Sequence, residues 1–166
     1  MTTQATSGRQ GGLPAAPGAM TLLVAAVIVH DRDAGRVVLI QRGPDARFAP
    51  GSWDLPAGKS EPGEPVTTTA VRELKEETGM LVRPGDLQIA HVIHCACGVE
   101  APNGFLTVVF AARQWHGTPA NTEPDRHSQV TWVSTSHIPE DFVPTTATAL
   151  RSYLNDGPPL ISTDGW

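Results

Sequence analysis

The stretch "GKSEPGEPVTTTAVRELKEETGM", Gly58 to Met80, concentrates acidic residues in a chain that is only 17% charged. Glu73, Glu76 and Glu77 fall within five residues. Like charges repel, so crowding them adds nothing to a fold; it makes sense when a cation sits among them. Pro65 suits the first position of a helix and Gly79 suits its C-terminal stop, so the spacing predicts a helix of about fourteen residues between them. At about 100° per residue, Ala70, Val71, Leu74 and Thr78 cover one arc. Glu73, Glu76 and Glu77 cover the next, because residues three and four apart share a face. One side of the helix is therefore built to pack and its neighbour to carry negative charge. Arg72 and Lys75 lie beyond it and partly neutralise it.

Outward from this segment, the chain alternates apolar runs with turn residues. "TLLVAAVIVHD" and "RVVLIQRG" read as strands joined by the turn "DRDAG", a candidate hairpin. "PDARFAPGSW" is a loop, and "WDLPAG" leads into the acidic segment. "DLQIAHVIHCACG", "GFLTVVFAARQW" and "QVTWVS" read as further strands. "HGTPANTEPDRHS" is a polar loop and "TTATALRSYLND" a terminal helix. Residues 1–19 are rich in Gly, Pro, Ser and Thr without periodicity, which predicts a disordered tail. The folded unit is expected over 20–157, with 158–166, "PPLISTDGW", as a second tail. Mixed strands and helices give an α/β (α+β) class.

The 166 residues suit one domain with a core. A net charge of −5 offers no basic field for a nucleic-acid polymer or an anionic membrane. The longest apolar run, Met20 to Val29, is too short for a bilayer, and no signal-peptide pattern precedes it, so a cytoplasmic location is expected. The two cysteines, Cys95 and Cys97, lie with His91 and His94 in "HVIHCAC". A zinc site is conceivable there, but strand alternation sends the two histidines to opposite faces, and no second Cys/His cluster completes four ligands. A half-buried strand is the alternative reading.

Glu64 lies six residues after Gly58 and eight before Arg72. With Glu73, Leu74, Glu76, Glu77, Gly79 and Met80 these make nine fixed positions across 23 residues. The pattern resembles the signature box of the Nudix hydrolases, and the flanking strands extend the resemblance over about residues 20 to 155. It implies an α/β/α sandwich with a central mixed sheet, in which the box forms a loop–helix–loop. It also implies Mg²⁺- or Mn²⁺-dependent hydrolysis of a nucleoside diphosphate linked to another moiety. Carried over residue by residue, Glu76 and Glu77 resemble the principal metal ligands and Glu73 a ligand or the general base. The Gly58 carbonyl resembles a further ligand, and Arg72 an orienting partner for the carboxylates. Glu64 resembles a stabiliser of the loop and helix start. A further carboxylate from outside the box is expected at Glu123, with Asp125 as rival.

Substrate-binding candidates are Arg42, Phe48 and Trp53 around the loop entering the box, and Asp141 and Phe142 in "IPEDFVP". An aromatic can stack on a base and a carboxylate can accept hydrogen bonds from its edge. The alternative for Phe142 is packing of the last helix. The "EP…W" segment resembles that of MutT-like enzymes, which implies a nucleoside triphosphate cleaved to monophosphate and pyrophosphate. "LPAG" is similar to the sequence in nucleotide-sugar enzymes, so ADP-ribose or a nucleotide sugar is the alternative. A nucleotide-binding module without turnover remains a third class, disfavoured because every box glutamate is kept. The resemblance also implies a small-molecule nucleotide as partner and raises a homodimer as an assembly.

Overall fold

A computed structural model describes residues 21–96, 98, 101–158 and 160–166. The expected N-terminal tail lies outside the described residues, as does Cys97. The chain forms β1 (Leu22–Asp31), β2 (Arg36–Arg42), β3 (Trp53–Asp54), β4 (Ala57–Lys59), α1 (Val66–Thr78), β5 (Leu87–Cys95), β6 (Phe105–Ala112), β7 (His127–Ser134), α2 (Pro144–Leu154) and β8 (Leu160–Asp164). A 3₁₀ turn at Pro84–Asp86 precedes β5.

The sheet is mixed. Its path runs β3-β2-β1-β6-β5-β8, with β4 also paired to β1 and β7 to β2. β1 lies parallel to β6 from Leu22↔Phe105 to Val29↔Ala112 and antiparallel to β4. The expected β1–β2 hairpin exists, but its ladder is confined to His30↔Val37 and Asp31↔Arg36. Beyond those pairs β2 leaves β1 and takes β7 and β3 as partners.

Strand alternation explains why the sheet needs a helix on each face. Ala26 and Ile28 of β1 pack with Val109 and Ala111 of β6 and with Ala147, Ala149 and Leu150 of α2. The intervening Ala25, Val27 and Val29 pack with Phe110 and Ala112 and with Ala70 and Leu74 of α1. Every second residue of β1 thus serves the opposite layer, and the run reads as continuously apolar because neither face meets water. The helices sandwich the sheet, as the expected α/β/α architecture requires.

Three features differ from the sequence-based reading. Pro65 sits just outside α1 with extended backbone (φ −62°, ψ 139°), and Val66 opens the helix. Pro65 still serves the helix start, because its carbonyl accepts the Thr68 and Thr69 N–H groups at 2.8 and 3.0 Å. The packed arc of α1 holds Thr69, Ala70, Leu74, Glu77 and Thr78, whereas Val71 is only half-buried. Most consequentially, residues 158–166 are not simply a tail. Leu160–Asp164 adds a parallel edge strand to β5, in register from His91↔Leu160 to Cys95↔Asp164. No helix among the described residues is long and apolar enough to cross a membrane.

Candidate active site

The charged face of α1 is graded by depth. Glu77 is buried, Glu73 keeps 12% of its side chain exposed and Glu76 keeps 51%. The gradient follows from helix geometry: Glu77 belongs to the packed arc, Glu73 borders it and Glu76 lies further round.

Arg72 organises the shallower carboxylates. Its Nε donates to Glu64 Oε1 at 2.9 Å and its Nη2 to Glu64 Oε2 at 3.0 Å. Nη1 reaches Glu73 Oε1 at 2.7 Å and Glu76 Oε2 at 3.0 Å, and Nη2 also donates to the Lys59 carbonyl at 3.0 Å. A planar guanidinium can serve three carboxylates in this way because its five donors project in fixed directions. The hydrogen bonds from Arg72 hold the Glu64 carboxyl down to about 2. Burial pushes Glu73 above its ordinary value, against the pull of Arg72. Gly58 is tied to the same group: a side chain there would run into the Glu73 carboxylate.

Glu77 is held differently. Its Oε2 accepts the Ala57 N–H at 2.8 Å, and its Oε1 lies 3.2 Å from His127 Nε2. Burial raises its carboxyl to about 7, opposed by His127 and the Ala57 N–H. Buried carboxylates are costly unless a cation compensates them.

The Glu123 loop is docked onto the C-terminal end of α1, where a helix leaves carbonyls without internal partners. Thr122 Oγ1 donates to the Glu76 carbonyl, and the Ala120 N–H donates to the Thr78 carbonyl at 2.9 Å. Gly79, at φ 71°, ends the helix in the left-handed conformation and frees the chain to turn away. Beyond Thr122, the Glu123 carbonyl accepts the Arg126 and His127 N–H groups, a turn that puts Glu123 and His127 side by side. Glu123 Oε2 lies 3.5 Å from His127 Nε2, and the Arg126 guanidinium is 3.2 Å from Glu123 Oε1. Asp125, the rival acid, is exposed.

Glu77, Glu123 and His127 therefore offer three donor atoms within 4.8 Å of one another. His127 is 6% exposed, yet neither ring nitrogen has a well-aligned hydrogen-bond partner among the described residues. Its 3.2 Å approach to Glu77 is thus close but off-axis for an N–H donor. Oxygen donors with a buried, unsatisfied imidazole fit a divalent cation such as Mg²⁺ or Mn²⁺. The "HVIHCAC" strand has no such arrangement among the described residues. His91 Nε2 is within hydrogen-bond reach of Ser162 Oγ at 3.0 Å, a contact supplied by β8.

The substrate-binding candidates gather beside this cluster rather than in it. Arg42 pairs with His127 in the β2–β7 ladder, so the loop after β2 leaves the sheet next to the carboxylates. Arg42 Nε donates to the Phe48 carbonyl at 2.8 Å, its guanidinium lies 5.6 Å from the centre of the exposed Phe48 ring, and Nη1 is 3.4 Å from Asp54 Oδ2. Trp53 is half-buried. Asp141 is exposed and accepts the Ser52 hydroxyl at 2.8 Å. Phe142 is 6% exposed and packs in the core layer of α2, so packing, not base stacking, accounts for it. The sequence singles out neither His127 nor Asp54. His127, four residues after Glu123, carries the one legible signal: the sequence reading puts it in the polar loop, whereas it opens β7.

The family model described as the NUDIX domain matches residues 20–153. The MutT-like protein of Streptomyces ambofaciens is 27% identical over 150 residues, covering 90% of this chain and 87% of that protein. The 8-oxo-dGDP phosphatase NUDT18 of Homo sapiens is 34% identical over 119 residues, covering 70% of this chain and 33% of that protein. The chain spans about a third of that relative's length. Among solved structures, the MutT NUDIX hydrolase from Burkholderia pseudomallei superposes with a TM-score of 0.68 at 26% identity, covering 80% of this chain and 97% of that one.

Proposed function

The chain belongs to the NUDIX domain family, and from that premise we propose that it is a metal-dependent pyrophosphohydrolase of a nucleoside diphosphate-linked substrate, with a nucleoside triphosphate cleaved to monophosphate and pyrophosphate. The observation that carries this reading is the convergence of Glu77 from the helix with Glu123 and His127 from a loop docked on its end, beside the Glu73 and Glu76 carboxylates that Arg72 holds on the same helix.

Phosphoryl transfer needs charge neutralisation and alignment more than covalent participation by the protein. A bound Mg²⁺ or Mn²⁺ supplies that neutralisation and acidifies a water. Glu76, Glu77 and Glu123 would hold the cation, with the Gly58 carbonyl as a further oxygen. Arg72 fixes the rotamers of Glu73 and Glu76, so that neither carboxylate has to reorganise when the polyanion arrives. Glu73 takes up the proton of the attacking water; burial raises its basicity toward that role. The water's oxygen forms a bond to phosphorus as the bridging P–O bond breaks, and pyrophosphate leaves. The base is read from the Arg42–Trp53 loop and Asp141, beside the cluster.

A nucleoside diphosphate is the second reading, favoured by the 34% identity to an 8-oxo-dGDP phosphatase. Chromatography of products from a panel of triphosphates, diphosphates, their 8-oxoguanine forms and ADP-ribose separates the two. Monophosphate plus pyrophosphate from triphosphates, abolished by EDTA, is the expected result. Orthophosphate from diphosphates alone would establish the second reading. Undiminished turnover in excess EDTA, or none with any substrate and metal, would overturn both.

A further inference from the structure

His127 is buried at the first position of β7, with its Nε2 directed between two carboxylates: 3.2 Å from Glu77 Oε1 and 3.5 Å from Glu123 Oε2. A histidine that served only as an ion-pair partner would turn an N–H along the axis of one of these contacts. This ring does not, and both of its nitrogens lack an aligned partner among the described residues. Burying such a group unsatisfied is unfavourable, so the surroundings imply something further that accepts the nitrogen lone pair. The spacings agree. An octahedral ion with bonds of about 2.1 Å sets neighbouring donors about 3 Å apart, close to both separations. Glu77 Oε2 is already occupied by the Ala57 N–H, which leaves Oε1 on the side facing His127.

We propose that His127 Nε2 is a direct ligand, with Glu77 and Glu123, to a divalent cation, and that this nitrogen makes the site select Mn²⁺ over Mg²⁺. The inference rests on the metal-dependent reading above and adds a donor that the carboxylate box does not contain. Mg²⁺ favours oxygen and dehydrates reluctantly, whereas imidazole is a good ligand for first-row transition ions. One nitrogen among oxygens therefore shifts selectivity without excluding Mg²⁺. The ligands also come from two parts of the chain, so the cation would pin the Glu123–His127 turn to α1.

The test is pulsed electron paramagnetic resonance of Mn²⁺ bound to the metal-free full-length chain, with Mg²⁺ competition titrations on the wild type and on His127→Gln. The expected result is a nitrogen hyperfine coupling in the wild type that vanishes in H127Q. The ratio of Mn²⁺ to Mg²⁺ affinity should fall on the order of tenfold in the variant. Mn²⁺ bound to the wild type with no nitrogen coupling would overturn the role of His127 and leave the carboxylate site standing. Failure of the wild type to bind Mn²⁺ or Mg²⁺ at all would overturn both readings. The wild-type spectrum decides the matter even if H127Q folds poorly.

Discussion

Arg72 grips Glu64 with two parallel hydrogen bonds, Nε to Oε1 at 2.9 Å and Nη2 to Oε2 at 3.0 Å. Eight residues separate them, and the bond joins the loop before α1 to the second turn of the helix. Glu64 also accepts the Glu61 N–H at 3.1 Å and the Thr69 hydroxyl at 2.8 Å, so its carboxylate closes the loop on itself. The bond to Arg72 matters most for chemistry: with Glu64 and the Lys59 carbonyl holding one edge of Arg72, Nη1 is fixed toward Glu73 and Glu76. Glu64 thus acts on the carboxylate face through Arg72, without touching it.

Glu64→Gln should weaken the fold in a pH-dependent way. The folded carboxyl lies at about 2 against an ordinary 4.5. A depressed value contributes stability above the ordinary pKa, lost as pH falls through the folded one. The melting-temperature gap between wild type and variant should be widest at neutral pH and close as pH falls from 4.5 toward 2. A gap that stays constant over that range would mean that the Arg72–Glu64 bond does not govern this part of the stability.

Glu77→Gln should separate stability from activity. Its folded carboxyl is raised to about 7 from 4.5, so the wild type is penalised as pH rises through that window, when the buried group must ionise. Glutamine keeps the bond from the Ala57 N–H and never ionises. In metal-free buffer at pH 8 the variant should melt at least as high as the wild type. Turnover should fall by about 10²-fold or more, the scale of a lost electrostatic contact to a transition state. Glu76→Gln should lose activity on the same scale. A Glu77→Gln enzyme with near-normal kcat would place that carboxylate outside the metal shell.

What was legible in the sequence was what local periodicity encodes. The glutamates of α1, the Gly79 stop and the doubly buried β1 all follow from spacing along a few turns. What escaped depends on contacts between distant segments. His127 is meaningful only because Thr122 and Ala120 cap carbonyls at the end of α1 and so bring it to Glu77. Leu160–Asp164 carries no apolar alternation that would mark a strand; Leu160 and Ile161 are both exposed. It is a strand because β5 offers it a free edge, which no local pattern reveals. Phe142 and Asp141, adjacent in sequence, part company because one faces the α2 layer and the other solvent.

Gly58→Ala should damage catalysis without unfolding the chain. The backbone there does not need a positive φ, but a β-carbon would occupy the space of the Glu73 carboxylate. Glu73 must then swing out of its bond to Arg72. Misplacement of a catalytic group by about 1 Å can cost up to about 10²-fold in rate. Steady-state kinetics with a parallel thermal melt checks this, and an alanine variant with full kcat would show that Glu73 need not stay where Gly58 lets it lie.

Ending the chain after Gly157 should lower stability while sparing the chemistry. The removed segment supplies the ladder from His91↔Leu160 to Cys95↔Asp164 and the Ser162 hydroxyl that meets the buried His91 ring. Its loss leaves β5 as a bare edge and leaves His91 without that contact. Water replaces these partners at the opened edge, so each lost hydrogen bond costs its net worth of about 0.5–1.5 kcal/mol, and a loss of 1 kcal/mol moves the melting temperature by roughly 2–4 °C in a chain of this size. A drop of several degrees is therefore expected, with more aggregation on heating, since an open edge strand invites pairing between chains. The carboxylate cluster is served by α1, β4 and the Glu123 loop, whereas β8 lies at the far edge of the sheet beyond β6 and β5. The kcat of the truncated chain, measured well below its melting point, should match the full chain. An unchanged melting temperature would mean that β8 adds nothing to the fold; a large fall in kcat at low temperature would tie that edge to the active site through the sheet.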